Sequence, residues 1–348
     1  MKRHKICKII FAILAVFLCV AFYVLIGICV TYKKQPAVSD ATIKETQNIM
    51  SVAGRENTER AVIIEKNSQA LLERVRLIQN AKDEIILSTF AFKSDESGKL
   101  ILGALHDAAD RGVHVRILVD GMESWIDMEG NPYFYGLSSH ENVEIKLYNK
   151  ANPLKPWKTM GRMHDKYLIA DGKIYILGGR NTYNYFLGDF PGHKNFDRDV
   201  LVVCDEPQKD NSVNQLWNYF ETIWEQEDCR YFHNSKKLAD RQSVKKAVLE
   251  LQEGYQQYFE VNKEKICDTD YADETFETEK ITLLSNPIHT QAKEPVVWYQ
   301  LGELMKNAKE RVKIHTPYII CNDMMYNTWE EIAQKVPDFS IMTNSVAN

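Results

Sequence analysis

An uninterrupted apolar segment near the N-terminus constrains this chain more than any other feature. From Ile9 to Val30 the sequence holds only apolar residues, Tyr23 and one glycine. At about 1.5 Å per residue, a helix of this length spans a hydrocarbon layer of roughly 30 Å. A cleaved signal peptide is the alternative, but the segment exceeds the usual apolar region of about 7–15 residues and no clear A-x-A site follows it. We therefore expect an uncleaved transmembrane anchor within residues 1–34.

Basic residues flank the anchor unequally. Lys2, Arg3, Lys5 and Lys8 precede it, and only Lys33 and Lys34 follow closely. Because the side with the basic excess usually stays in the cytoplasm, the pattern predicts a cytoplasmic N-terminus. The prediction is thus a single-pass protein of the cell membrane with an extracytoplasmic catalytic domain.

Composition excludes several classes of protein. The 348 residues are 45% apolar and carry a formal net charge of −5, which excludes a disordered chain and a multi-span transporter. The acidic balance argues against binding to duplex nucleic acid, so no nucleic-acid partner is expected. The seven cysteines show no C-x-x-C spacing and no paired histidine. We therefore expect neither a metal site nor a cofactor.

Strand and helix patterns alternate along the middle of the chain. Apolar residues at helical spacing from Leu71 to Ile78 precede a strand pattern at 84–92, and a second helix at 101–108 precedes a strand at 113–119. Further strands are predicted at 143–147, 167–170, 174–177 and 200–204, with a helix over 216–224. This order predicts an α/β layered fold with a mixed sheet flanked by helices.

The same patterns divide the chain into segments. A polar stalk that becomes helical near the domain is expected at 35–60, a first half at 61–232, a helical and then acidic connection at 233–280, and a second half at 281–348. The second half rests on a repeat, because Leu77–Thr89 aligns with Leu304–Thr316. We therefore expect two pseudo-repeated halves, of which the second is incomplete.

A spaced motif carries the chemistry. It reads His164-x-Lys166-x4-Asp171-x6-Gly178-Gly179-x-Asn181. Residues two apart in an extended segment project on the same side, so His164 and Lys166 can address one ligand. A neutral imidazole is a competent nucleophile toward phosphorus, and an adjacent ammonium stabilises the charge on phosphoryl oxygens. An isolated H-x-K pair is commonly a chance surface pair, but here every other position of the motif is also filled.

The remaining motif positions suggest supporting roles. Gly178 and Gly179 allow a close backbone approach at the end of a strand and are predicted to bind phosphate. Asn181 can offer an amide donor to the same oxyanion. Asp171 opens the hairpin turn of Asp171-Gly172-Lys173, where its carboxylate can cap backbone amides or pair with a cation. We count Asp171 with the catalytic motif and expect its role to be structural.

A nucleophilic histidine needs an acceptor on its second ring nitrogen. Asp197 and Asp199 lie on one face at the start of the strand at 200–204, and either could supply it. We favour Asp197 and keep Asp199 as a pocket residue. His193 and His315 are two further candidates for the pocket.

The motif resembles the signature of the phospholipase D superfamily, H-x-K-x4-D-x6-G-[GS]-x-N. The segments at 108–120, 162–166, 178–181 and 196–201 are similar to bacterial cardiolipin synthases. The resemblance implies a metal-independent transfer in two steps. One histidine attacks a phosphodiester to give a phosphohistidine, a second histidine protonates the leaving alcohol, and an acceptor alcohol or water then releases the phosphatidyl group. A phosphatidylglycerol-like lipid is the implied substrate.

The chain departs from the family pattern in having one H-x-K motif where two are needed. The repeat offset would place the second histidine beyond residue 348. Either the sequence is part of a longer protein or two chains share a site as a homodimer, and we favour the first interpretation.

Three functions remain open at this point. The first is a membrane-anchored phosphatidyl transferase, the second a nuclease of the same superfamily, and the third an inactive single-motif scaffold. Residues 150–162, which we call the lip, bear on the choice, because they carry Lys150, Lys155, Trp157, Lys158 and Arg162. The lip is either a solvated loop or a basic, aromatic surface for anionic headgroups.

Overall fold

The computed structural model describes residues 2–51, 59–207 and 209–345. The chain forms two compact units. The first comprises Met1–Ile28 and Glu56–Leu283, and the second comprises Cys29–Arg55 and Leu284–Asn348. The first unit contains the whole motif.

Helix α1 (Lys2–Tyr32) contains the apolar segment. Within the part of the chain that the structure describes, one helix is long and apolar enough to cross a membrane, and it covers His4–Tyr32. Its apolar side chains are exposed along nearly its whole length.

The first unit is built around a nine-stranded sheet. Its strands, in chain order, are β1 (Glu59–Ile64), β2 (Glu84–Thr89), β3 (His114–Asp120), β4 (Val143–Tyr148), β5 (Lys166–Ala170), β6 (Ile174–Gly178), β7 (Asp199–Cys204), β8 (Cys229–Tyr231) and β9 (Phe276–Glu277). Their order across the sheet is β8-β4-β3-β2-β5-β6-β7-β1-β9. Strands β2, β3 and β4 run parallel to one another, and every other pairing is antiparallel.

Helices lie on both faces of this sheet. They are α3 (Asn67–Asn80), α4 (Glu96–Asp110), α5 (Gly121–Asp127), α6 (Pro132–Ser138), α7 (Ser212–Trp224), α8 (Lys236–Ala239) and α9 (Gln242–Cys267). Val115 and Ile117 of β3 join the core formed with α3, α4 and α9. Arg116 lies between them and points to the other face, because side chains alternate along a strand. There its guanidinium contacts the rings of Trp217, Phe220 and Trp224 on α7. The predicted mixed sheet flanked by helices is confirmed.

Several neighbouring strands have their carboxyl ends at the same edge of the sheet. Strands β2, β3 and β4 end there at Thr89, Asp120 and Tyr148, and β6 ends there at Gly178. Strand β5 begins at this edge, since Lys166 pairs with Thr89. We call it the carboxyl edge.

The second unit holds α2 (Asp40–Ser51), α10 (Val296–Lys306), β10 (Arg311–His315), α11 (Asp323–Lys335) and β11 (Asp338–Met342). Strands β10 and β11 are parallel and pair Arg311 with Asp338. Val312, Ile332 and Val336 form the core. The order helix, strand, helix, parallel strand is also that of α3, β2, α4 and β3, in agreement with the repeat in the sequence.

Two segments make contacts that the sequence does not predict. The stretch at 35–60, predicted as a stalk that becomes helical near the domain, contains α2, which packs on α10 within the second unit, and the first two residues of β1, while residues 52–58 lie outside the part of the chain that the structure describes. The acidic stretch at 268–279 is held on the first unit by Arg76. This guanidinium donates to the carbonyl oxygens of Asp268 and Asp270 and to the Glu274 carboxylate, and it lies 3.9 Å from the centre of the Tyr271 ring.

Candidate active site

The carboxyl edge brings most of the motif together. Lys166 starts β5 opposite Thr89, and His164 lies two residues before it. On the other side of β5, Gly178 ends β6 opposite Asp199, the first residue of β7. Residues 163–166, 178–181 and 197–199 therefore converge because three neighbouring antiparallel strands begin or end there.

His164 lies over the Phe90 ring. The two ring centres are 4.5 Å apart with an angle of 63° between the planes, an edge-to-face arrangement. Partial burial lowers the pKa of the imidazole below its ordinary value, and the positive charges of Lys166 and Arg162 lower it further. His164 is therefore neutral near pH 7, which is the state that a nucleophile needs.

Lys166 is buried, and its ammonium donates a hydrogen bond to the His164 carbonyl oxygen at 2.6 Å. The ammonium lies 5.3 Å from the centre of the Phe90 ring. Burial lowers the pKa of Lys166 to about 8, while Asp165 and Asp197 act in the opposite direction. At neutral pH this group is a cation that has lost most of its hydration, which strengthens its interaction with an anionic ligand.

Asp120 organises the approach to His164. Its buried carboxylate accepts from the Arg162 guanidinium at 2.7 Å and from the Met163 N–H at 3.1 Å. It also caps α5 by accepting from the Met122 N–H at 3.0 Å. Asp120 thus fixes the two residues that precede His164, and its charge favours the protonated imidazole.

The two glycines make room for carboxylates of the protein. A Cβ added at Gly179 would lie 2.5 Å from the carboxyl carbon of Asp197, and one at Gly178 would lie 2.7 Å from the Asp199 Cα. The side-chain positions beside both glycines are thus occupied by residues 197–199 of the protein. The binding of phosphate at Gly178 and Gly179 stays a prediction.

Asp199 is engaged elsewhere. Its carboxylate pairs with Arg74 at 3.0 Å and with Arg180 at 3.2 Å, and all three side chains are buried. Arg180 also donates to the carbonyl oxygens of Ile64 and Asp197. This cluster joins the end of β1 to the start of β7, so Asp199 has a structural role and not that of an imidazole acceptor.

Asp197, the favoured acceptor, acts electrostatically on Lys166. Its carboxylate accepts from the Arg198 N–H at 2.7 Å. The carboxylate whose charge acts on His164 is Asp120. The pairing of Asp197 with His164 stays a prediction.

Asn181 lies in the site and is buried. Its side-chain oxygen accepts from the Ala91 N–H at 3.2 Å, just beyond Phe90. This bond fixes the side-chain amide, whose nitrogen carries the donors predicted for the oxyanion.

Asp171 lies at the opposite edge of the sheet. It occupies the hairpin turn with φ of 52°, and its carboxylate accepts from the backbone N–H groups of Lys82, Asp83 and Glu84 at 2.8–3.2 Å. Seven residues of extended chain separate it from His164, which is roughly 20 Å. Its place among the catalytic residues is therefore wrong, and the expected capping of backbone amides is confirmed.

The two other candidate histidines belong to other elements of the fold. The His193 ring packs at 5.5 Å from the Tyr185 ring in the loop before β7. His315 ends β10 in the second unit and is exposed. Their presence in the pocket stays a prediction. Across residues 2–51, 59–207 and 209–345, no group of three His, Cys, Asp or Glu side chains is arranged to hold a metal ion.

Sequence reasoning missed four residues of this site: Phe90, Asp120, Arg162 as a neighbour of His164, and Arg180. Each has a weak local signal. Phe90 and Asp120 each directly follow or end a buried strand, where side chains reach the carboxyl edge. Arg162 lies two residues before the motif begins, and Arg180 lies within it, between Gly179 and Asn181. The sequence alone does not predict which residues these four side chains contact.

Comparison with known proteins agrees with this arrangement. Residues 75–224 match the family model described as "Cardiolipin synthase, PLD-like domain". Cardiolipin synthase C of Escherichia coli is 29% identical over 154 residues, covering 40% of this chain and 31% of that protein. Cardiolipin synthase 1 of Staphylococcus aureus is 35% identical over 112 residues, covering 32% of this chain and 22% of that protein.

A longer match lacks an assigned activity. An uncharacterized protein of Helicobacter pylori is 27% identical over 320 residues, covering 84% of this chain and 60% of its own length. The chain thus spans about 60% of that relative and less of the named ones. Among solved structures, phosphatidylserine synthase of Haemophilus influenzae matches with a TM-score of 0.57 at 15% identity, covering 88% of this chain and 66% of that one, which supports the fold.

The strand ends and the motif that they bring together define a phospholipase D-like domain, and residues 75–224 resemble the phospholipase D superfamily. Within that superfamily the chain resembles the cardiolipin synthases.

Proposed function

We propose that this protein is a membrane-anchored phosphatidyl transferase that uses His164 as its nucleophile. One observation carries the proposal: His164 and the buried Lys166 ammonium lie together at the carboxyl edge, where burial lowers the pKa of both groups. A group that attacks phosphorus and a charge that stabilises phosphoryl oxygens are the two requirements of the first chemical step.

The reaction follows from these groups. A ring nitrogen of His164 bonds to the phosphorus of a phosphodiester while the bond from phosphorus to the departing alcohol breaks. The Lys166 ammonium faces the charge that develops on the non-bridging oxygens, and Arg162 adds a second cation nearby. The leaving oxygen takes a proton from an acid, and an acceptor hydroxyl then displaces the imidazole. That acid comes from a second motif, either in the same full-length chain or in a second chain.

Two features support a lipid substrate. Helix α1 is long and apolar enough to hold the domain at a bilayer. The named relatives that match residues around the motif are cardiolipin synthases. A phosphatidylglycerol-like lipid supplies the phosphodiester, and its glycerol headgroup is then the departing alcohol.

The test uses the full-length protein in vesicles that contain phosphatidylglycerol labelled in its headgroup glycerol. We expect release of labelled glycerol and formation of a new phosphatidyl ester, with both lost in His164→Ala. The matched control is His114→Gln, since His114 lies at the opposite end of β3 and pairs with Glu84 and Glu144. Cleavage of DNA with no lipid product would instead support the nuclease alternative.

A further inference from the structure

Large apolar side chains are exposed on segments that adjoin the carboxyl edge. Five of them have 60–79% of their surface exposed, and they form what we call the apolar rim: Trp125, Ile126, Leu154, Met160 and Phe196. A cluster of large exposed apolar side chains marks an interaction surface, whereas isolated ones need no explanation.

All five belong to segments that leave the carboxyl edge. Trp125 and Ile126 are on α5, which begins where β3 ends. The first residue of α5 is closely packed on the backbone of Lys150, and Glu123 pairs with Arg162 at 3.3 Å. Helix α5 therefore lies against both ends of the lip, which carries the other pair, Leu154 and Met160. Phe196 directly precedes Asp197 in the loop that leads into β7.

Helix α1 packs on the same lip. The Tyr23 hydroxyl donates to the Leu154 carbonyl oxygen at 2.7 Å, and the Tyr23 and Trp157 ring centres are 5.1 Å apart. The Trp157 ring covers Gly27 so closely that any side chain at this position would overlap it. The lip is therefore in direct contact with the helix that would cross the membrane.

The length of α1 indicates how deep in the bilayer this contact lies. A hydrocarbon layer of about 30 Å that begins after Lys8 ends about 20 residues later, near Ile28. Tyr23 and Gly27 lie within about two turns of that level, where aromatic side chains are favoured. The contacts with α1 thus place the lip at the boundary between acyl chains and headgroups.

We propose that the carboxyl edge docks on the bilayer that holds α1, with the apolar rim inserted among the lipids around the entrance to His164. The exposed lysines Lys150 and Lys155 of the lip would meet anionic headgroups. A phospholipid then reaches His164 with its acyl chains still in the membrane. This docking surface rests on the proposed function, because its occupant is the bilayer that contains the substrate.

The experiment measures tryptophan fluorescence of the full chain in vesicles whose acyl chains carry bromine, which quenches by contact. Trp125 is the decisive reporter, since it lies on the apolar rim and 60% of its surface is exposed. Trp217 is the matched control, because its ring lies 3.5 Å from the Cβ position of Gly172 in the hairpin turn at the opposite edge. The comparison is between Trp125→Phe and Trp217→Phe, each in brominated and unbrominated vesicles.

We expect the bromine-dependent loss of fluorescence to fall by at least a third in Trp125→Phe and to be unchanged in Trp217→Phe. An Ile126→Asp substitution beside the reporter should reduce the same quenching at least twofold. Equal quenching in wild type and Trp125→Phe overturns the docking surface, even if phosphatidylglycerol is still converted. Quenching of Trp125 without any lipid product supports the surface and refutes the proposed function.

Discussion

Asp171 separates the structural part of the motif from its catalytic part. Its carboxylate binds the backbone N–H groups of Lys82, Asp83 and Glu84 at the edge opposite to His164. Replacing Asp171 with alanine removes these acceptors and also leaves a Cβ-bearing residue without a local hydrogen-bonding side chain at φ of 52°. Stability should fall, while the chemistry at His164 should continue in the protein that remains folded.

The loss of folding stability in Asp171→Ala can be calculated from these contacts. A hydrogen bond to a charged group contributes about 1.5–3 kcal/mol, but two of the three amides are near the surface and regain water in the variant. Left-handed backbone costs an ordinary residue roughly 1–2 kcal/mol more than glycine. Together these effects predict a loss of about 3 kcal/mol for Asp171→Ala. Asp171→Asn keeps the oxygen that accepts from Asp83 and Glu84, so we expect a loss of about 1 kcal/mol.

Thermal unfolding with a parallel assay of lipid turnover checks this prediction. A loss of about 3 kcal/mol lowers Tm by roughly 6–12 °C in a unit of this size. Turnover per folded molecule, measured well below Tm, should stay within about threefold of wild type. A fall of a hundredfold or more with unchanged Tm would instead assign Asp171 a role in the chemistry.

Three further predictions concern the carboxyl edge. The rate should fall as pH rises through about 8, where Lys166 loses its proton, and Lys166→Arg should extend activity to higher pH; an unchanged alkaline limb would contradict this. Gly179→Ala should reduce turnover at least tenfold by displacing Asp197. The control is Gly254→Ala in an open helical position, which should raise the free energy of unfolding in denaturant by about 0.5–1 kcal/mol. Asp199→Asn should destabilise the first unit by about 3–5 kcal/mol in the same measurement, since two guanidinium groups lose their buried partner, and a change below 1 kcal/mol would disprove that role.

The sequence predicts the local features of the fold well. The hairpin at Asp171-Gly172-Lys173 depends on turn chemistry within a few residues, and the structure confirms it. Helix α3 and strand β2 follow from apolar spacing and burial in the same way. These features are encoded in short windows, so no knowledge of the remaining chain is needed.

Features that depend on distant partners could not be predicted. The acidic composition indicated an exposed segment at 268–279, and most of its residues are exposed. It gave no sign that one buried guanidinium, Arg76, binds this segment from nearly 200 residues away in the chain. Asp120 likewise acts on His164 through a segment that the strand pairing brings close. Spacing suggested Asp197 and Asp199 as equivalent, and only the buried arginines distinguish them.

The motif predicts which residue types occur but not where they lie in the folded sheet. Its residues are found at both edges of the sheet, because β5 runs from Lys166 at the carboxyl edge to Ala170, next to Asp171. A linear pattern gives no sign that its central aspartate lies a full strand away from its histidine. The structure therefore divides one signature into a reactive end and a structural end.

Direct detection of the covalent intermediate tests the central claim. The full-length protein is mixed with phosphatidylglycerol radiolabelled at phosphorus and quenched in alkali, where phosphohistidine survives, and the labelled tryptic peptide is identified. We expect label on the peptide from Met163 to Lys166, attached to His164, and none in His164→Ala. Lipid product formed with no labelled protein, or with label on another residue, would contradict that claim.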